Sequence, residues 1–188
     1  IYGRLVYNGN TFTPISSLSD AIRKQTIVIN GVSKTYAMTG WRVGFAVGEP
    51  EIISGMAKII SQTTSNLTSV SQYAAIEALT GDQSSIEEMR KAFEERLNTI
   101  YPLLAEVPGF EVIKPQGAFY LFPNVKKAME IKGYTDVNDF TNAILEEAEV
   151  ALVTGAGFGA PENIRLSYAT DLDILKEAVR RIKAFMEK

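Results

Sequence analysis

The chain has 188 residues, of which 46% are hydrophobic and 22% charged, as in an ordinary globular protein. The 19 basic and 22 acidic side chains give a net charge of −3, which disfavours nucleic acid or an anionic membrane surface as a partner. The absence of Cys and His excludes disulfides, thiolate metal sites and histidine triads. No membrane span or signal peptide is visible, so we expect a cytoplasmic protein. Because Cys and His are absent, we assign no metal ligands.

The first eighty residues predict a hairpin turn, two strands and two helices. The turn is predicted at Asn8-Gly9, because both residue types tolerate the positive φ angles of a tight hairpin. Two compact apolar runs, 27–29 and 43–47, predict buried strands. Apolar spacing predicts two helices, the first beginning at Pro50 and the second spanning about 69–79.

The remaining residues predict helices alternating with short strands. Ser84, with Glu87 three residues later, forms a capping-box pattern at the start of a long amphipathic helix. A second helix is expected near 137–148, and a last helix is opened by Thr170 or Asp171. Short strands are predicted at 110–113, 119–122, 150–153 and 164–167. This order of elements indicates an α/β fold with two packing units, which part near residue 81.

One connection combines cationic side chains with glycines. Lys34 and Arg42 lie between the two predicted strands, where Gly31, Gly40 and Gly44 permit close backbone approach. A lysine in a partly apolar pocket can act as a Schiff-base nucleophile, and an arginine fork suits a phosphate. The same pattern is compatible with a solvated loop that carries two surface cations.

Three motifs resemble those of the class I/II, fold type I aminotransferases, in the form found in bacterial aspartate aminotransferases. The segment from Ser33-Lys34 to Gly44 resembles the family's pyridoxal-phosphate attachment segment. The stretch 115–120 resembles its P-x-G-A-F-Y segment, and Gly157-Phe158-Gly159 leading to 164–169 resembles its R-L-S-Y-A segment. The resemblance covers the whole chain. It implies the C-terminal part of a fold type I transferase, with the tail of the large-domain sheet over 1–80 and the small α+β domain over 81–188.

The resemblance assigns a role to five side chains. Lys34 is expected to hold pyridoxal 5'-phosphate as a Schiff base and to move the proton at the substrate's Cα. Arg42, with minor help from Ser33, is expected to bind the cofactor phosphate. Arg165 is expected to bind the substrate α-carboxylate, and Tyr2 the phenolic oxygen of the cofactor. Simpler interpretations are a strand aromatic for Tyr2 and a strand-edge cation for Arg165.

The resemblance also implies that part of the enzyme lies outside this sequence. The family's aspartate that pairs with the pyridine nitrogen would stand two residues before Ile1. We therefore expect the chain to be the C-terminal half of an aminotransferase and to be inactive alone. The implied reaction transfers an amino group between aspartate and 2-oxoglutarate. The alternatives are aromatic or branched-chain transamination, carbon–sulfur β-elimination, and a non-catalytic regulatory domain.

The family further implies a homodimer whose partner subunit contributes to the cofactor pocket. The polar segment 63–68, between two predicted helices, is the candidate for reaching across a two-fold axis. An ordinary interhelix loop is the alternative interpretation of that segment.

Overall fold

The computed structural model describes all 188 residues and combines helices with short strands. The chain divides into two compact units, 1–90 and 91–188, and the division falls inside its longest helix. The mixed helix-and-strand character expected from the sequence is confirmed. The domain boundary expected near residue 81 stays a prediction. No helix has both the length and the apolar character that crossing a membrane requires.

The first unit contains a two-stranded ribbon and several helices. Strand β1, Val28–Gly31, pairs antiparallel with β2, Gly44–Val47, so that Gly31 and Gly44 are register partners. Both predicted helices form, and proline in the first turn begins the earlier one. The helices are α1 (Asp20–Lys24), α2 (Pro50–Thr63), α3 (Ser69–Thr80) and the first part of α4 (Ser84–Ala105).

Both predicted strands of the first unit form, but the expectation that they are buried is wrong. Ile29 is 68% exposed and Val47 is 58% exposed. The two strands pair only with each other, so no neighbouring strand extends the ribbon and its side chains stay largely open to solvent. The connection between them is that of an antiparallel pair, not a crossover between parallel strands.

The turn predicted at Asn8-Gly9 near the start of the chain is confirmed. Asn8 and Gly9 have φ angles of 56° and 74°, and the Asn10 N–H donates to the Tyr7 carbonyl oxygen at 3.1 Å. No strand flanks this turn on either side. The local residue types therefore determine the reversal, and the only β-bridge residue beside it is Val6.

The second unit is built on a three-stranded antiparallel sheet. Its strand order is β3-β5-β4, with β3 at Tyr120–Leu121, β4 at Val153–Thr154 and β5 at Ile164–Ser167. Three complete helices accompany the sheet: α5 (Lys126–Lys132), α6 (Val137–Ala148) and α7 (Leu172–Glu187). The core is rich in aromatic and aliphatic side chains that are fully buried or nearly so, among them Leu121, Phe140, Ile144, Ile164, Tyr168, Ile182 and Phe185.

Helix positions in the second half agree with the sequence better than strand positions do. Helix α6 spans the predicted residues, and Asp171 caps α7 as expected. The predicted strand at 110–113 is reduced to a single bridge between Glu111 and Asn124. The one at 150–153 is replaced by the shorter Val153–Thr154. Helix α5 was not predicted.

The predicted capping box of α4 is wrong, although the helix begins where it was expected. Ser84 is the first helical residue, and its hydroxyl donates to the Asp82 carboxylate instead of capping the helix. The Glu87 carboxylate pairs with Arg90, with contacts of 2.8 and 2.9 Å. Asp82 lies ahead of Ser84 and provides the acceptor that the pattern assigned to the serine.

Candidate active site

The connection between β1 and β2 is closed at its base by the approach of two backbone segments. A Cβ atom on Gly31 would lie 2.6 Å from the Val43 carbonyl oxygen, so the strands can come this close only because residue 31 is glycine. The Val32 N–H donates to that same carbonyl oxygen at 3.3 Å. Residues 32–43 therefore leave and re-enter the ribbon at one point.

Hydrogen bonds and apolar contacts anchor this connection within the first unit. The Thr35 hydroxyl donates to the Ile1 carbonyl oxygen at 3.3 Å, and the Tyr36 hydroxyl donates to the Gln83 Oε1 at 3.4 Å. Apolar side chains of the connection form a small cluster with Ala75 of α3. These side chains are Val32, Val43, Tyr36 and Met38.

Lys34 lies between the anchored residues of this turn and is partly buried, as is Ser33. The Lys34 carbonyl oxygen accepts a hydrogen bond from the Ala37 N–H at 3.3 Å, and Ala37 has a φ of 53°. The chain thus reverses tightly just after the lysine. A primary amine on an ordered backbone of this kind is suited to attack a carbonyl carbon and form a Schiff base.

Arg42 lies at the other end of the same connection, with φ 56° and ψ 45°, a left-handed conformation that is uncommon for arginine. Its side chain is exposed, and its Nη1 donates to the Thr39 carbonyl oxygen at 3.0 Å across the short turn Thr39–Trp41. A guanidinium carries five N–H donors. Most of them are left for an anionic ligand such as a phosphate.

Arg165 lies on β5 between the buried side chains of Ile164 and Leu166, so its own side chain is directed to the opposite face of the sheet. Its Cζ atom is 4.6 Å from the ring centroid of Tyr120 and 4.7 Å from that of Phe158. Aromatic faces attract the cation without offering lone pairs to its N–H groups. Those donors therefore remain suited to a carboxylate.

The predicted site residues are distributed over both units. Ser33, Lys34 and Arg42 belong to one connection of the first unit, and Arg165 belongs to the second unit. Tyr2 is partly buried in the first unit, where its carbonyl oxygen accepts from the Leu5 N–H at 2.8 Å. The roles of all five stay predictions.

Sequence reasoning missed the two rings that contact Arg165. Tyr120 lies within the recognised stretch 115–120, and alternation along β3 could have placed it on the same sheet face as the arginine. Phe158 comes from a turn between two strands. No periodic pattern connects it to residue 165.

The chain matches the family model for aminotransferase class I and II over residues 1–182. It therefore belongs to the class I and II aminotransferase family. The chain is 77% identical over 188 residues to an asparagine–oxo-acid transaminase of Streptococcus mutans, covering 100% of this chain and 48% of that protein. It is 56% identical, with the same coverage, to an aspartate aminotransferase of Bacillus subtilis.

Solved structures agree with the family assignment. An aspartate aminotransferase from Rhizobium meliloti superimposes with a TM-score of 0.90 at 37% identity, covering 100% of this chain and 48% of that one. An aromatic aminotransferase from Pyrococcus horikoshii gives a TM-score of 0.90 at 35% identity, covering 100% and 49%. The family and fold class expected from the motifs are confirmed. The chain spans about half the length of the curated relatives it matches.

Proposed function

We propose that the full-length protein containing this chain is a pyridoxal-phosphate-dependent aminotransferase that transfers the amino group of aspartate to 2-oxoglutarate. The observation that carries this proposal is the anchored connection 32–43, which presents an amine and a guanidinium from one closed turn. The family assignment and the names of its relatives support the same reaction class.

The side chains of this connection fit the chemistry of pyridoxal phosphate. Lys34 offers an amine to the aldehyde carbon, while Arg42 and the Ser33 hydroxyl offer donors to the phosphate. The Tyr2 hydroxyl is our candidate for the phenolic oxygen. When bound, the cofactor supplies an electron sink for the pair released at the substrate's Cα.

The chain's own residues bind the substrate and move a proton. Arg165 binds the α-carboxylate through two N–H groups and thereby fixes the orientation of the Cα–H bond. The Lys34 amine would accept the Cα proton as a general base. The same amine then returns a proton during the second half of the transfer.

Asparagine is a second candidate for the amino donor. The 77% identical relative from Streptococcus mutans is named an asparagine–oxo-acid transaminase. Comparing kcat/KM for aspartate and asparagine in the full-length protein, each with 2-oxoglutarate, distinguishes the two. A higher value for aspartate supports our proposal, and a higher value for asparagine selects the second donor.

Borohydride trapping tests the assignment of Lys34. Reducing the full-length protein in the presence of pyridoxal phosphate should leave a stable phosphopyridoxyl group on Lys34, detected by peptide mass mapping. Lys34→Arg should abolish this label, whereas Lys58→Arg, made on the exposed surface of α2, should leave it intact. A label on another lysine, or none in the wild type, would reject the assignment.

We further propose that the full-length protein is a cytoplasmic homodimer. The segment 63–68 consists of the last residue of α2 and the loop that leads to α3, and every residue in it is exposed, which suits a segment that contacts a second subunit. Light scattering should give twice the subunit mass at working concentration. A monomer at that concentration would contradict the dimer.

A further inference from the structure

The ring of Phe158 reaches Arg165 from a tight turn between β4 and β5. Residues Ala156–Phe158 form a single 3₁₀ turn that follows Gly155. The Gly155 carbonyl oxygen accepts from the Phe158 N–H at 2.9 Å and from the Ala160 N–H at 3.0 Å. These bonds close the turn on itself and fix the backbone that carries the ring.

Close backbone packing restricts the turn further. A Cβ atom on Gly155 would lie 2.3 Å from the Ala160 carbonyl oxygen and 2.4 Å from that of Asn163. The Gly155 N–H also donates to the Asn163 carbonyl oxygen at 2.7 Å, immediately before β5 begins. The turn is therefore bonded directly to the segment that leads into Arg165.

Phe158 in turn packs against a second aromatic ring. The Phe122 ring lies 6.0 Å from it, centroid to centroid, at an interplanar angle of 88°. This edge-to-face arrangement is a favoured geometry for aromatic pairs. Phe122 is itself held by its carbonyl oxygen, which accepts from the Asn163 side-chain amide at 3.1 Å. The ring of Phe158 is thus supported by a second ring, whose own backbone is hydrogen-bonded to Asn163.

Arg165 needs such support, because an arginine side chain has many rotamers and loses entropy when it binds a ligand in one of them. Stacking on aromatic rings restricts a guanidinium before the ligand arrives. Tyr120 supplies one ring from the neighbouring strand, and Phe158 supplies the other. The edge donors of the guanidinium are not consumed by either contact.

We propose that Phe158 is a positioning residue, whose ring holds the Arg165 guanidinium ready for the carboxylate of an α-amino acid. This inference rests on the proposed role of Arg165 in substrate binding. Removing the ring should weaken the binding of carboxylate ligands more than it slows turnover, because Phe158 acts through the arginine.

The test uses variants of the full-length protein loaded with pyridoxal phosphate. Phe158→Leu keeps an apolar side chain but removes the aromatic face, whereas Phe158→Tyr keeps that face. Val153→Ala is the matched control, since Val153 is the register partner of Arg165 and is also exposed. Arg165→Ala serves as the reference for complete loss of the guanidinium that binds the carboxylate. The measurements are KM for aspartate, kcat, and the dissociation constant of succinate, a dicarboxylate that has no amino group to transfer.

Phe158→Leu should raise both KM and the succinate dissociation constant about tenfold, within the range of a partly desolvated cation–π contact, and change kcat less than about threefold. Phe158→Tyr and Val153→Ala should leave all three near the wild-type values. The proposal is overturned if Phe158→Leu changes neither constant while Arg165→Ala raises both, or if Phe158→Tyr is as impaired as Phe158→Leu. If Arg165→Ala also leaves both KM and the succinate dissociation constant unchanged, Arg165 does not bind the substrate carboxylate. The inference about Phe158 is then overturned together with the proposed role of Arg165.

Discussion

Helices α2 and α7 share an amphipathic pattern but differ in what covers their apolar side chains. Helix α7 buries five residues along one face: Leu175, Val179, Ile182, Phe185 and Met186. Helix α2 buries none, although its sequence carries an apolar stripe through Ile52, Met56 and Ile60. The spacing forms a helix in both cases. Burial depends on whether the same unit supplies a surface to pack against.

The strands show the same difference. In β5 the buried residues Ile164 and Leu166 alternate with more exposed ones, as expected for a sheet with one covered face. In the β1–β2 ribbon, large apolar side chains such as Ile29 remain open to solvent. The second unit therefore has an extensive core, whereas the first unit has a small buried cluster and leaves many large apolar side chains exposed.

The charged faces differ as well. Helix α7 carries several ion pairs, including Lys176 with Asp173 at 3.2 Å and Arg181 with Glu149 of the preceding segment at 2.7 Å. Helices α2 and α3 form none. A helix that faces water is usually rich in such charges. Their scarcity on α2 and α3 agrees with the apolar character of the first unit's surface.

One isoleucine substitution in each unit should reveal the largest difference in the free energy of unfolding. Ile182 of α7 is fully buried, whereas Ile59 of α2 is 67% exposed. Ile182→Ala should lower the free energy of unfolding by about 2–5 kcal/mol, because it removes buried methyl groups and leaves a cavity. Ile59→Ala should change it by less than about 0.5 kcal/mol. Urea denaturation followed by circular dichroism measures both, and equal losses would contradict the difference between the helices.

The exposed apolar ribbon should also promote association of the chain. Replacing Ile29 and Val47 together by lysine places two charges on the ribbon, so the apparent mass in sedimentation should fall. The matched control places two lysines on exposed polar positions of α6, Asn138 and Asn142, which changes the net charge by the same amount. Equal apparent masses for the two double variants would show that the ribbon does not drive association.

Periodicity revealed the helices but could not reveal their environment. The sequence patterns of α2, α6 and α7 are visible because apolar residues three or four positions apart lie on one face of a helix. Whether that face is covered depends on residues distant in sequence, which is why the ribbon was wrongly expected to be buried. Helix α5 escaped notice because seven residues make barely two turns. The glycine at its C-terminus, Gly133 with φ 77°, was its clearest signal.

The candidate site was predictable to the extent that it is local. Lys34 and Arg42 are separated by only eight residues, so one motif contains both of them. The strand containing Arg165 was also predicted from its sequence. The contact of Phe158 with Arg165 depends on how a 3₁₀ turn folds back toward β5, and no spacing rule describes that contact.

A smaller effect is expected at the helix caps. The Asp171 Oδ1 accepts from the Asp173 N–H at 2.9 Å at the start of α7. Asp171→Ala should lower the free energy of unfolding by about 1 kcal/mol. Asp171→Asn should lower it much less, because asparagine can also accept the hydrogen bond. In the first unit the Thr68 hydroxyl oxygen accepts from the Ser71 N–H at 3.4 Å, a longer and weaker bond. Thr68→Ala should therefore cost less than Asp171→Ala in the same denaturation experiment.

The smallest effect on stability is expected from the protonation of Glu177 on α7 at low pH. Hydrogen bonds from Arg180 and Arg181 lower the pKa of Glu177 from 4.5 to about 2. The folded state thus binds this proton less tightly than the unfolded chain, so the stabilisation is present above pH 4.5 and is lost as the pH falls toward about 2. Because the ion pairs are exposed, the change in stability should be small.

Glu177→Gln should make the free energy of unfolding fall less steeply over that acidic range, because glutamine has no proton to gain there. Denaturant titrations at a series of pH values measure this slope. The matched control is Glu146→Gln on α6, an exposed glutamate without an ion pair, which should leave the slope close to that of the wild type. If the two variants show the same slope, the paired arginines do not hold Glu177 in its charged form. The polar face of α7 would then contribute no more to stability than the sparsely charged surface of α2.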